Sequence, residues 1–76
     1  MTDKFEEIKI TTDFITLGQF LKYVGIIDEG FMAKDFILNN SIFVNGDICT
    51  QRGKKLYPET KVIINNSKFF EIKKWL

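Results

Sequence analysis

Apolar and polar residues follow two rhythms along this chain, and each change of rhythm marks an element. Residues 5–10, Phe-Glu-Glu-Ile-Lys-Ile, alternate imperfectly and include β-branched side chains, which predicts a short strand. Thr11-Thr12-Asp13 interrupts it. The period then lengthens: Leu17, Phe20, Leu21 and Val24 fall at i, i+3, i+4 and i+7, one face of a helix. Thr16 stands where it can cap that helix, and Gln19, three residues on, can close a capping box. Gly18 weakens the first turn by up to ~1 kcal/mol relative to alanine. A close approach by another stretch of backbone would explain its presence. Gly25 is a natural stop.

Ile26-Ile27-Asp28-Glu29-Gly30 is short enough to be only a tight connection between neighbouring helices. The spacing predicts a second helix over 31–39, with Met32, Ala33, Phe36 and Ile37 as its buried stripe. Asn39-Asn40-Ser41 favours a helix end. The remainder reads as strands over 42–44 and 47–50 around a turn at Asn45-Gly46, then over 61–64 and 68–72 around Asn65-Asn66-Ser67. Asn-Gly between β-prone runs is a strong hairpin signal, because both residues tolerate the positive φ of a type I′ turn. Phe20, Leu21, Val24, Phe36, Ile37 and Val44 are expected to share one core. With no linker or repeat, the 76 residues read as a single α+β domain, 1–76. A chain of this length buries only roughly 60% of its unfolded surface.

Net charge is only +1, but its distribution is lopsided. Residues 1–50 carry four lysines against eight acids, whereas residues 51–76 carry seven cations against two acids. Such asymmetry points to an anionic partner. Charge alone leaves equally open that these lysines solvate the outer face of a sheet. No apolar run approaches the ~20 residues of a membrane span. The amino terminus, Met1-Thr2-Asp3-Lys4-Phe5-Glu6-Glu7, is too acidic and polar for a signal peptide. A cytoplasmic location is expected, and the single cysteine, Cys49, fits a reducing compartment.

Catalytic chemistry finds little footing. The chain has no histidine, which excludes a Ser-His-Asp triad, a Cys-His pair and His-based metal sites. Cys49 lies in an expected strand and reads as a small core or edge residue rather than a nucleophile. Asp28-Glu29 and Glu6-Glu7 are sequence neighbours in a turn and a strand, so neither pair is aimed into a cleft. There is no phosphate-binding loop and no dinucleotide fingerprint. No enzyme activity, cofactor, metal or small-molecule substrate is expected.

Several motifs in fixed order resemble a known family. Phe20-Leu21-Lys22-Tyr23-Val24-Gly25, Ala33-Lys34 and Val44-Asn45-Gly46 are similar to the S-four RNA-binding domain, named after small-subunit ribosomal protein four. The likeness covers about residues 15–64. Ile15-Thr16-Leu17-Gly18-Gln19-Phe20-Leu21-Lys22 and Arg52-Gly53-Lys54-Lys55-Leu56 most resemble its short, stand-alone bacterial YaaA-like group. That resemblance implies a helix-turn-helix pair packed on a small mixed β-sheet. It also implies binding of structured RNA, most often ribosomal RNA, by the helix pair and the adjoining loop. Lys22 and Lys34 match helix positions that face RNA, and Arg52, Lys54 and Lys55 match the basic loop. Asn45 and Gly46 match the hairpin turn in a structural role. The chain departs from the family at Thr16, where many members have arginine, and at Gly30-Phe31, where serine and arginine are common. Glu59-Thr60 replaces the usual Gly-Asp at a turn.

The chemistry of the loop agrees. Cations around Gly53 can approach phosphates closely, since glycine removes side-chain bulk and permits an unusual backbone. A cluster of three or four gives a modest, salt-sensitive affinity. Tyr57 and Phe31 could stack on an unpaired base, although packing on the core is the expectation for both. Trp75 is expected to cover the open end of the sheet. The resulting expectation is a non-catalytic RNA-binding protein that acts on ribosomal RNA or ribosomal particles during assembly or quality control. The competing reading is a protein-interaction adaptor that keeps the fold without binding RNA. A DNA-binding helix-turn-helix is weaker, because residues 31–39 offer a major groove one lysine and much apolar surface.

Overall fold

The computed structural model describes residues 5–75; Met1-Thr2-Asp3-Lys4, part of the amino-terminal reading above, and Leu76 lie outside the described residues. Strand β1 (Glu6–Ile10) is followed by a two-residue strand β2 (Ile15–Thr16) and helix α1 (Leu17–Tyr23). A 3-10 turn (Gly30–Met32) leads into helix α2 (Ala33–Asn39). The remaining strands are β3 (Ile42–Val44), β4 (Asp47–Ile48), β5 (Lys55–Leu56), β6 (Lys61–Ile64) and β7 (Lys68–Lys74). Five strands form one mixed sheet in the order β1-β7-β6-β3-β4, in which only β1 and β7 run parallel. β2 and β5 form a separate antiparallel pair. This is the helix pair on a small mixed sheet that the motifs implied.

Local chemistry sets the ends of α1. The Gln19 N–H donates to Thr16 Oγ1 at 3.3 Å, and the Thr16 N–H donates to Gln19 Oε1 at 3.1 Å, completing the capping box. At the other end Gly25 adopts φ +83°, the Ile26 N–H reaches Leu21 O and the Gly25 N–H reaches Lys22 O. That pair of bonds is a Schellman motif, which satisfies carbonyls the helix would leave open. The carbonyls ending α2 are held by side-chain amides instead, Asn39 Nδ2 to Asp35 O and Asn40 Nδ2 to Phe36 O, both 2.8 Å. Asn40 Oδ1 then accepts from Asn65 Nδ2 at 2.9 Å, which ties the helix end to the β6–β7 turn.

The second helix corrects the expected boundary. Phe31 and Met32 belong to the 3-10 turn, and α2 begins at Ala33. A 3-10 turn advances about 120° per residue rather than 100°. Met32 is thereby rotated off the buried stripe and left 39% exposed, while Ala33 and Ile37 are buried. Phe36 and Val24 pack against the core without being enclosed by it.

The hairpin turn is as the sequence predicted. Val44 pairs with Asp47 across Asn45 and Gly46, at φ +51° and +90°. Asn45 also joins the hairpin to β6, since its Oδ1 accepts the Lys61 N–H at 2.9 Å. The core lies between the helix pair and one face of the sheet. Leu17, Phe20 and Leu21 from α1 and Ile37 from α2 meet Ile42, Val62, Ile64, Phe70 and Ile72. Phe20 and Phe70 pack edge to face with centroids 5.2 Å apart. The opposite face of the sheet is where part of the basic carboxy-terminal half goes. Lys61 and Lys73 alternate with the buried Val62 and Ile72 and so lie on that face, where Lys61 is exposed to solvent and Lys73 is half-buried. Trp75 is 58% exposed rather than covering the sheet; its backbone N–H donates to Ile10 O, and Lys9 Nζ lies 5.3 Å from its ring centroid.

Candidate nucleic-acid interface

A helix start leaves its first N–H groups without intrahelical partners. In α1 they draw in the basic loop. The Leu17 N–H donates to Lys54 O and the Gly18 N–H to Arg52 O, both at 2.8 Å. The loop closes on itself through the Lys54 N–H to Gln51 O bond at 3.1 Å, and continues into β5, which pairs Lys55 with Thr16 and Leu56 with Ile15. The cationic segment is thus strapped along the entrance to α1 by its own backbone, leaving its side chains exposed.

Gly18 is the hinge of this arrangement. A Cβ there would stand 3.4 Å from Arg52 O, 3.5 Å from Ala33 Cβ and 3.6 Å from Arg52 Cβ. α1, α2 and the loop therefore meet at one point with little room beyond a methyl group. Gly53, where an unusual backbone was expected, does not adopt a positive φ, and a Cβ there would meet open space. The close approach is made at Gly18.

The five expected contact residues fall into three places. Lys22 and Arg52 line one groove of about 420 Å³, with Gly18, Gly30 and Ala33 also in its lining. Lys54 and Lys55 line a second concavity of about 410 Å³ beside the hairpin, where Ile48 and Tyr57 also contribute. Lys34 lines neither; it is exposed on α2 next to Ala33. Among the described residues, none of the five forms an ion pair. Lys73 and Lys74 contrast with them. Lys73 Nζ lies 3.0 Å from Glu59 and 3.4 Å from Glu71, and Lys74 Nζ lies 3.7 Å from Asp13. The hydrogen bond to Glu59, aided by the charges of Glu59 and Glu71, raises the Lys73 pKa above its ordinary value. The ion pairs thus neutralise Lys73 and Lys74 at the end of the carboxy-terminal strand, whereas the five cations of the helix pair and its strapped loop carry no acidic partner.

Two aromatic residues overturn the expectation that they pack on the core. Phe31 is 78% exposed and Tyr57 50%. Tyr57 leans on Phe14 with ring centroids 5.6 Å apart, and Lys55 Nζ lies 4.9 Å from the Phe14 centroid. Phe14 was not singled out in the sequence; an aromatic outside any periodic stripe was its only signal. Cys49 is half-buried just beyond β4, with its thiol 3.6 Å from Gln51 O, at the foot of the loop. No helix among the described residues is long and apolar enough to cross a membrane.

A helix pair on a mixed sheet, with a basic loop bonded to the first helix, defines a class, and comparison with known proteins agrees. The S4 domain family matches residues 8–73, and the chain belongs to that family. It is similar to the Bacillus subtilis (strain 168) protein named "Probable ribosome maturation protein RlbA", at 42% identity over 65 residues. The similarity covers 86% of this chain and 92% of the relative. The family match runs beyond residues 15–64 to include Ile8, Lys9 and Ile10 of β1 and most of β7.

Proposed function

We propose that this protein binds structured ribosomal RNA, without catalysis, through the surface formed by α1, the start of α2 and the loop 51–55, and that it acts in the cytoplasm during ribosome assembly or quality control. The observation that carries this reading is the strapped loop. Its backbone is consumed in bonds to α1, while Arg52, Lys54 and Lys55 project without acidic partners. A fixed set of cations recognises backbone geometry rather than base sequence, the usual mode for double-stranded RNA. Lys22 adds a contact from the helix side of the Arg52 groove, and Lys34 extends the surface along α2. Membership of the S4 domain family and likeness to a protein named for ribosome maturation support the same assignment. An adaptor that had given up RNA would have no need of five unpaired cations on this side.

The decisive experiment is charge reversal of the loop, Lys54→Glu with Lys55→Glu. Both side chains are exposed, so stability should change by only ~0.5 kcal/mol. Binding to ribosomal RNA and co-sedimentation with ribosomal particles should be lost. For the native protein, log affinity against log salt should fall with a slope of roughly −2 to −3 for three or four phosphate contacts. A folded double variant that binds RNA and particles normally would reduce the loop to a solvated turn.

A further inference from the structure

The helix pair carries a second concavity of opposite character. A groove of about 510 Å³ runs between the α1–α2 connection and α2, walled by Ile26, Phe31, Met32 and Phe36. Phe31, at 78% exposure, is the most open of the large apolar side chains among the described residues, and Leu38, one turn beyond Asp35, is 63% exposed. Single exposed apolar residues are ordinary, but several lining one groove mark an interaction surface. The one charged side chain in its lining is an acid, Asp35, and Asn39 beside it donates one N–H to Asp35 O and keeps its side-chain oxygen open. Asp28 and Glu29 are exposed in the connection just before the 3-10 turn. None of these three carboxylates forms an ion pair among the described residues.

We propose that this groove docks a basic amphipathic helix of a partner protein, with apolar anchors entering beside Phe31 and Met32 and lysines or arginines meeting Asp28, Glu29 and Asp35. The charge decides between the two classes of macromolecule that an exposed phenylalanine could serve. Phosphates would be repelled by the acids at this rim, whereas a cationic helix finds carboxylates and an amide oxygen to accept its donors. Helix-in-groove recognition has this form, apolar anchors at helical spacing with charges setting the partner. The groove is separate from the one that Lys22 and Arg52 line, so the inference stands whether or not the protein binds RNA.

The probe is a fluorescent synthetic peptide of about 18 residues, with Leu and Phe at i, i+3, i+4 and i+7 and Lys elsewhere. One companion peptide replaces each Lys by Glu, and another keeps the composition but scrambles the apolar stripe. Anisotropy with the full chain should show saturable binding of the first and at least about tenfold weaker binding of the other two. Phe31→Ser and Asp35→Lys should each weaken it by about tenfold, with circular dichroism unchanged because both side chains are exposed, and with melting lowered only by a few degrees in Asp35→Lys, which places a cation in the first turn of α2. Amide shifts should move over residues 26–40 and not over residues 52–55. Equal binding of the three peptides, no binding at ~100 μM, or variants as strong as the native chain would overturn the proposal. So would Phe31→Ser weakening a structured RNA oligonucleotide while sparing the peptide, which would make Phe31 a base-stacking residue. A native dimer that Phe31→Ser converts to a monomer would give the groove to a second copy instead, and the proposal would fail.

Discussion

Gly18 offers the sharpest test of how the loop is held. An alanine there places its methyl group 3.4–3.6 Å from Arg52 and Ala33, which is ordinary contact, and gains up to ~1 kcal/mol of helix propensity. Gly18→Ala should therefore be neutral or slightly stabilising. Gly18→Val is different, because its γ carbons extend about 1.5 Å beyond the Cβ into a space already at contact distance. Either the core strains, at roughly 1–3 kcal/mol for overpacking, or the loop lifts from α1. Lifting breaks the Leu17–Lys54 and Gly18–Arg52 bonds, each worth a net ~0.5–1.5 kcal/mol. Both routes predict a loss of about 1–3 kcal/mol, and in a domain this small each kcal/mol lowers Tm by roughly 4–8 °C. Calorimetry measures the stability, and filter binding of ribosomal RNA measures the surface. If the loop lifts, the valine variant should also lose affinity, because Arg52 no longer stands beside Lys22. A valine variant with native Tm and native affinity would refute the strapped-loop account. An alanine variant that stays stable but binds poorly would show that Gly18 itself touches RNA.

Two further stability predictions follow from burial and backbone. Phe20→Ala, at a fully enclosed site, should cost ~3–5 kcal/mol and largely unfold the chain in thermal melts, while Phe36→Ala should cost about half as much; equal losses would mean that α2 sits deeper than described. Glu59→Gly should raise stability by up to about 1 kcal/mol, because Glu59 holds φ +78° in a turn after Pro58, and its exposed ion pair with Lys73 is worth no more than ~1 kcal/mol; a clear loss in denaturant unfolding would show the pair to outweigh the strain.

Where the sequence was legible, one residue type performed one local task. The α1 cap needs a hydroxyl and an amide three residues apart, and Thr16 and Gln19 supply them. The hairpin needs two positive φ angles, and Asn45-Gly46 tolerates both. The turn at Glu59 was visible only as a departure from the family's Gly-Asp, and its positive φ explains why glycine is usual there. The β2–β5 pairing was not legible, because two residues carry no periodicity, and Thr16 serves both strand and cap. The expected place of Met32 in the buried stripe failed because a change from 3-10 to α geometry is invisible in spacing. The four lysines and one arginine expected to meet RNA are each exposed, but no pattern along the chain could say that Arg52 would join Lys22 while Lys54 and Lys55 line the concavity beside the hairpin.

The parallel pairing of β1 with β7 carries a consequence for the order of folding. In the large sheet β3–β4 and β6–β7 are joined by turns and β3–β6 by the segment that carries β4 and β5, whereas β1 must meet residues from the opposite end of the described chain. Closing so long a loop adds little equilibrium cost, since each doubling of length costs only ~0.6 kcal/mol, but it is slow to find. Our hypothesis is that β1 docks last, after the helix pair and the β3–β6–β7 layer have formed. In that penultimate state β7 is a bare edge, and the seats of Ile8 and Ile10 are open to solvent. Hydrogen exchange should find β1 amides opening at lower free energy than those of β6; equal protection would mean that the sheet closes in one step. If β1 does open first, the native chain briefly exposes one unpaired strand able to template another copy, so aggregation during refolding should grow with concentration and start at β7.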